Sequence, residues 1–258
     1  MSKYKLKPIE QDREEFLTKV KNNPELDKVI NDFHIVTAPL KYAYNFDWLG
    51  RPVIQLPQDI LIMQDILWKI KPDLIIETGV ARGGSLIFYS SILTLIDVAN
   101  EKMGLKTNVD SEIWGIDIKI HDENKQAIDA HPFSEKIKIF EESSTNLNLV
   151  DKLREKSKKF NKVLVILDSD HTAEHVLNEL KLYTPFVSVD SYCVVFDSTI
   201  EDLPPEHFKD RDWGPGNSPR TAVNNFLKSN TNFQVDEELD SKLLLTAAAG
   251  GFLKKITK

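Results

Sequence analysis

The stretch Glu77-Thr78-Gly79-Val80-Ala81-Arg82-Gly83-Gly84-Ser85 sets an acid two positions before the first of three glycines, directly after the apolar run Leu74-Ile75-Ile76. Glycine lets the backbone turn sharply and lets a ligand approach the peptide groups. The spacing Gly-x-x-x-Gly-Gly is not the Gly-x-Gly-x-x-Gly pattern that seats a pyrophosphate on the amino end of a helix. A carboxylate beside backbone N–H groups suits a ligand that carries an ammonium and a carboxylate and no phosphate. The methionine end of S-adenosylmethionine (SAM) is such a ligand. Glu77, Thr78, Gly79, Gly83 and Ser85 are therefore candidate cofactor residues, with a purely structural turn as the alternative.

Further candidates follow other apolar runs. Asp117 ends the run Ile113-Trp114-Gly115-Ile116, where an acid can accept from both hydroxyls of a ribose. It stands 40 residues after Glu77. The usual interval is about 20, and a long connection over residues 86–111 absorbs the excess. Ser143 and Ser144 follow the short run Ile137–Phe140 and could border an adenine. Asp168-Ser169-Asp170-His171 follows Val163–Leu167, and Asp197-Ser198 follows Tyr192–Phe196. Carboxylates such as Asp168 and Asp197, on adjacent strand ends, can share a hard cation such as Mg2+, which prefers oxygen ligands. His171 would sit beside that ion, and an imidazole with an unperturbed pKa of about 6.5 is a general base near neutrality. His175, one helical turn on, reads as a surface or packing residue. Trp213-Gly214-Pro215-Gly216-Asn217-Ser218-Pro219 is a shaped loop with an apolar face, suited to a substrate lid or to an oligomer contact.

These residues need elements to hold them. Apolar spacing predicts helices over 11–21, 57–70, 85–100, 175–183 and 220–228. Short apolar runs predict strands at 73–77, 112–118, 137–140, 163–168 and 192–197, with further candidates at 233–235, 243–246 and 251–254. Apolar strands alternating with helices predict an α/β fold whose parallel sheet is covered on both faces. The loop at 198–219 is long for a compact domain, as functional loops are. Residues 1–45 read as an N-terminal helical appendage that could serve as an interface between copies, and residues 46–258 as one catalytic domain.

Composition narrows the classes. The net charge of -7 argues against nonspecific binding to nucleic acid or to an anionic membrane surface. The single cysteine, Cys193, excludes an intramolecular disulfide and a Cys-rich zinc site, and its apolar neighbours make it a core thiol. The opening Met1–Lys7 shows no apolar leader, and no apolar run approaches the roughly 20 residues of a membrane span. A cytoplasmic location is expected.

The motifs Phe46-Asp47-Trp48-Leu49-Gly50-Arg51-Pro52, Lys71-Pro72-Asp73-Leu74-Ile75-Ile76-Glu77-Thr78-Gly79, Leu167-Asp168-Ser169-Asp170-His171 and Gly214-Pro215-Gly216 together resemble the cephalosporin hydroxylase family, from about residue 40 onward. The resemblance implies a Rossmann-like class I methyltransferase fold, with a mostly parallel seven-stranded sheet and helices on both faces. It also implies SAM and Mg2+ as cofactors. Members of the family look like O-methyltransferases, some of them acting on sugars. More distantly, the chain is similar to the metal-dependent catechol and caffeoyl-coenzyme A O-methyltransferases. By that similarity Asp168 is the first metal ligand and Asp197 and Ser198 are the next two. His171 stands where those enzymes carry a lysine. Ser198 replaces an amide, and Phe196 stands where the cephalosporin family can carry an acid, so the site would either hold the ion weakly or draw on substrate oxygens to complete its shell.

The expected activity is SAM-dependent, Mg2+-assisted methylation of a hydroxyl on a sugar or another polyhydroxylated small metabolite, with His171 and Asp168 as catalytic residues. A nicotinamide-dependent oxidoreductase and a catalytically silent SAM-binding accessory protein are the alternatives.

Overall fold

The computed structural model describes residues 7–21, 23–105 and 109–257. The opening stretch inspected for a leader lies outside them except for Lys7, as do residues 106–108 of the long connection. Two helices come first, α1 (Ile9–Val20) and α2 (Pro24–Thr37), followed by a hairpin of β1 (Phe46–Trp48) and β2 (Arg51–Val53). Next come α3 (Pro57–Ile70), β3 (Leu74–Thr78), α4 (Gly84–Lys102), β4 (Glu112–Asp117), α5 (Asp122–Asp129) and β5 (Ile137–Glu141). Then α6 (Leu147–Ser157), β6 (Val163–Leu167), α7 (Ala173–Tyr183) and β7 (Tyr192–Val195) complete the parallel part. The chain ends with α8 (Pro219–Ser229), β8 (Phe233–Val235), α9 (Glu237–Leu243) and β9 (Phe252–Lys255).

The seven-stranded sheet runs β5-β4-β3-β6-β7-β9-β8. Its first five strands are parallel, and β9 is antiparallel to both neighbours. The expected mostly parallel, Rossmann-like sheet is borne out. Its strands are apolar on both faces because helices cover both. Ile75, Leu164, Ile166, Val194 and Phe252 pack with α3 and α4. Their alternating neighbours Leu74, Ile76, Val165, Cys193 and Leu253 pack with α6, α7 and α8. From β3 the chain winds outward through β4 and β5, then returns to lay β6 on the other side of β3. That reversal opens a crevice at the carboxyl ends of β3 and β6, where open α/β sheets bind ligands. No helix among the described residues is long and apolar enough to cross a membrane.

The structure adds helices that apolar spacing did not mark. The short, polar α5 buries only Ile128. Asn146 accepts from the Asn148 and Leu149 amides and starts α6, which buries Val150 and Leu153. One expected strand is absent. At Leu243–Thr246 the chain leaves α9 and turns through Leu244 at φ 59°. The buried carboxylate of Asp59 accepts from the Thr246 hydroxyl and the Ala247 amide and ties the segment after that turn to α3.

The family-like hairpin is a clamp. Leu49 and Gly50 make its turn with positive φ. Trp48 packs edge-on against Phe88 of α4 and donates to the Ser91 hydroxyl. Arg51 donates to the Arg82 carbonyl in the glycine loop and to Asn124 of α5. The hairpin can lie this close because residue 84 has no side chain: a Cβ there would run into the Pro52 carbonyl. Gly84→Ala should therefore destabilise the chain by about 1–3 kcal/mol, read as an earlier urea midpoint. An unchanged midpoint would show that the hairpin does not rest on the first turn of α4.

Candidate active site

The glycine loop leaves β3 through Gly79, Ala81 and Gly83, all with positive φ. Gly79 donates to the Ile116 carbonyl at 2.8 Å, and Asp168 donates to the Thr78 carbonyl at 2.9 Å. A Cβ on Gly79 would collide with the Asp168 backbone carbonyl. The loop and the acid at the end of β6 are thus in backbone contact.

Glu77 lies behind this loop, fully buried, and accepts from Ser85 Oγ at 2.8 Å and Tyr89 Oη at 3.1 Å. Burial, with the Asp117 charge adding to it, pushes its carboxyl up to about 8 against those two donors. The neighbouring Thr78 hydroxyl is buried and has no hydrogen-bond partner among the described residues. Asp117, expected at a ribose, accepts from the Val80 amide at 2.9 Å and the Ala81 amide at 3.2 Å, and its other oxygen accepts from Lys119 N. It therefore holds the loop, while still lining a cavity of about 550 Å³ with Ser143, Ser144 and Thr145. A carboxylate has about four acceptor positions, so loop amides leave Asp117 room for a further donor.

Beneath that cavity is a polar group that sequence reasoning missed. His175 Nε2 lies 3.2 Å from Ser144 Oγ and 3.3 Å from Ser169 Oγ. Ser169 donates to the fully buried Glu179 at 2.7 Å. The hydrogen bond to Glu179 raises the His175 pKa, against its burial. The spacing of His175 and Glu179, one turn apart on α7, was the available signal.

On the other side of Gly79, the ligand atoms of Asp168, His171 and Asp197 all lie within 4.8 Å of one another. His171 Nε2 is 3.1 Å from Asp197 Oδ2, and the Trp213 ring meets the His171 ring edge-on at 5.0 Å. Burial, then the charges of Asp197 and Glu77, raises the Asp168 carboxyl well above the ordinary range. A hard cation would relieve that repulsion, and two carboxylates with open space beside them fit one. Ser198 is not brought to this cluster. Asp197 adopts a left-handed φ of 54°, and the fully buried Ser198 turns its hydroxyl to the Ala249 carbonyl at 2.7 Å. Phe196 is buried in the core on the α3 and α4 side. Asp170 is spent on the start of α7, accepting from the Thr172 amide and hydroxyl.

A cavity of about 200 Å³ joins the loop to the cluster, lined by Gln55, Gly79, Ser85, Asp168, His171 and Asp197 among others. Gln55, which sequence reasoning also missed, is 3% exposed, and neither amide atom has a hydrogen-bond partner among the described residues. Leaving such a group unpaired costs about 1–3 kcal/mol.

Glu77 keeps its proton to about pH 8, whereas an unfolded glutamate loses it near 4.5. Between those values the folded chain holds a proton that the unfolded chain has released, so stability falls as pH rises through that window. Glu77→Gln should flatten this fall in urea midpoints of the metal-free protein. Parallel slopes in the two proteins would remove the assignment to Glu77.

Residues 40–256 match the family described as Rhamnosyl O-methyltransferase/CmcI. The chain is 30% identical over 198 residues to the rhamnosyl O-methyltransferase of Mycobacterium tuberculosis, covering 76% of this chain and 72% of that one. It is 28% identical over 158 residues to that of Mycobacterium leprae, covering 61% and 62%. A CmcI structure with Mg and SAM shares the fold at a TM-score of 0.56 and 17% identity, covering 83% of this chain and 78% of that one. The chain belongs to the rhamnosyl O-methyltransferase/CmcI family and is an O-methyltransferase, as its motifs imply.

Proposed function

We propose that this enzyme transfers the methyl group of SAM, with the help of Mg2+, to a hydroxyl of a sugar or another polyhydroxylated small metabolite. One observation carries the reading: the glycine loop and the Asp168–His171–Asp197 cluster meet across Gly79 in a single cavity. The rhamnosyl O-methyltransferases that the chain resembles support a sugar as acceptor. The larger cavity beside Asp117, Ser143 and Ser144 suits the adenosine, and the smaller one suits the methionine end and the acceptor.

Bound SAM supplies an electrophilic methyl group and bound Mg2+ a Lewis acid that lowers the pKa of the acceptor hydroxyl. Asp168 and Asp197 would hold the ion. The His171 imidazole takes the proton of the hydroxyl, and the Asp197 carboxylate, 3.1 Å from its Nε2, stabilises the imidazolium that results. Trp213, packed on His171, keeps water from that proton. Glu77, Thr78, Gly79, Gly83 and Ser85 shape the loop that sets the donor's position, and alignment of donor and acceptor is the main contribution. Ser198 acts at one remove, fixing the turn that presents Asp197.

We assign catalysis to residues 46–258 and read residues 1–45 as an appendage. Helix α2 exposes Val29 and Val36, which supports contact between copies of the chain. The one buried, free thiol, Cys193, supports a reducing, cytoplasmic setting.

With labelled SAM and a panel of sugars and glycosides, Asp168→Asn should lower methyl transfer by about 100-fold or more, while affinity for S-adenosylhomocysteine (SAH) stays within about threefold of wild type. Full turnover by that variant, or by wild type in excess EDTA, would remove the metal role. His171→Asn should lower kcat by about 100-fold or more and abolish the acidic limb of the pH–rate profile. An unchanged profile would transfer the base role to another group.

A further inference from the structure

The site holds more acid than donor. Glu77, Asp59 and Glu179 are fully buried around it, beside Asp168 and Asp197. A ligand bearing a carboxylate needs hydrogen-bond donors there, and most candidates are already engaged. The Val80 and Ala81 amides donate to Asp117, and the Ser85 and Tyr89 hydroxyls donate to Glu77. Glu77 itself does not line the cavity, and each of its oxygens already accepts from a hydroxyl. It supports the loop from behind and is not positioned to meet an ammonium.

Gln55 has the opposite status. It leaves the hairpin just before α3 and lines the cavity with Gly79 and Ser85, and its amide approaches the Tyr89 hydroxyl closely enough to favour the phenolate without reaching full hydrogen-bond geometry. Among the described residues it is the one buried side chain with two polar atoms that both lack a partner. Its amide offers donors through Nε2 and an acceptor through Oε1. Those match the two charges of an α-amino acid, and a neutral group adds no further repulsion. Across the loop, α4 begins at Gly83 without a side-chain cap, so its first amides reinforce the donor side.

We infer that Gln55 is a cofactor-binding residue, taking the amino-acid end of SAM with Nε2 toward the carboxylate and Oε1 toward the ammonium. The inference rests on the proposed use of SAM and replaces Glu77 as the group that touches the methionine end.

Titration calorimetry with two probes tests it. SAH carries the amino acid, and 5′-methylthioadenosine carries the same nucleoside and sulfur without it. Gln55→Met, close in shape, should weaken SAH by about tenfold or more and leave 5′-methylthioadenosine within about twofold. Gln55→Glu should weaken SAH further, by setting an anion against the carboxylate. The ligand-free Gln55→Met protein should melt no lower than wild type, since an unpaired buried amide has been removed. SAH affinity unchanged in both variants overturns the inference. So does an equal loss for the two probes with a lowered melting temperature, the pattern of a residue that only supports the fold. Failure of the wild type to bind SAH would overturn the cofactor reading itself, and this inference with it.

Discussion

Backbone contact between Gly79 and Asp168 fixes the geometry on which the rest of the site depends. Strands β3 and β6 pair in register from Leu74 opposite Val163 to Thr78 opposite Leu167. The next residue of each strand therefore has to share one small space, and Gly79 allows it by lacking a Cβ. The glycine loop and Asp168 are held together by main chain, with no flexible side chain between them. A sheet whose strands reversed order elsewhere would place these two motifs at different crevices. The hairpin of β1 and β2 adds a second close approach at Gly84, so the loop is gripped from both sides.

Concentrating carboxyl groups beside this contact works against stability. Asp168 is pushed up by burial and by its acidic neighbours, and Asp59 is held at about 7 by burial. Buried acids without a cation favour their protonated forms. A divalent ion and a donor-rich ligand offset that cost, so the ligand-free site is built for groups that complete it. Functional sites commonly hold such locally unfavourable arrangements, supported by surroundings that fix them. Here the support is visible as the Glu77–Ser85–Tyr89 and Ser169–His175–Glu179 groups, which lock the two strand ends from below.

Much of this was legible in the sequence, for physical reasons. Leu74–Ile76 and Val163–Leu167 read as strands because both faces of a central parallel strand are buried. Glu77–Ser85, Asp168, His171 and Asp197 were readable because a glycine loop and acids at strand ends occupy one edge of such a sheet. What could not be read depends on partners far along the chain. Gln55 sits in an apolar stretch with nothing local to mark it as a site residue. The direction of Ser198 follows from the left-handed turn at Asp197 and from the Ala249 carbonyl, 51 residues on. Leu243–Thr246 has the composition of a strand, yet it leaves α9 through a turn at Leu244 and is followed by contacts to the distant Asp59. Short polar helices such as α5 carry too few apolar positions to show a period.

The segment from Thr246 to Gly251 reaches from Asp59 to the turn after β7. Its carbonyls receive Ser198 and Thr199, and that of Gly251 receives the Val195 amide. The second acid of the cation cluster is thus presented by a turn whose scaffold is made about fifty residues later. During synthesis the chain from β3 to β6, with the glycine loop and Asp168, emerges first. The turn that presents Asp197 has its acceptors in the segment Thr246–Gly251, which emerges later. The orientation of Asp197 is therefore settled only when the last part of the chain has joined the sheet.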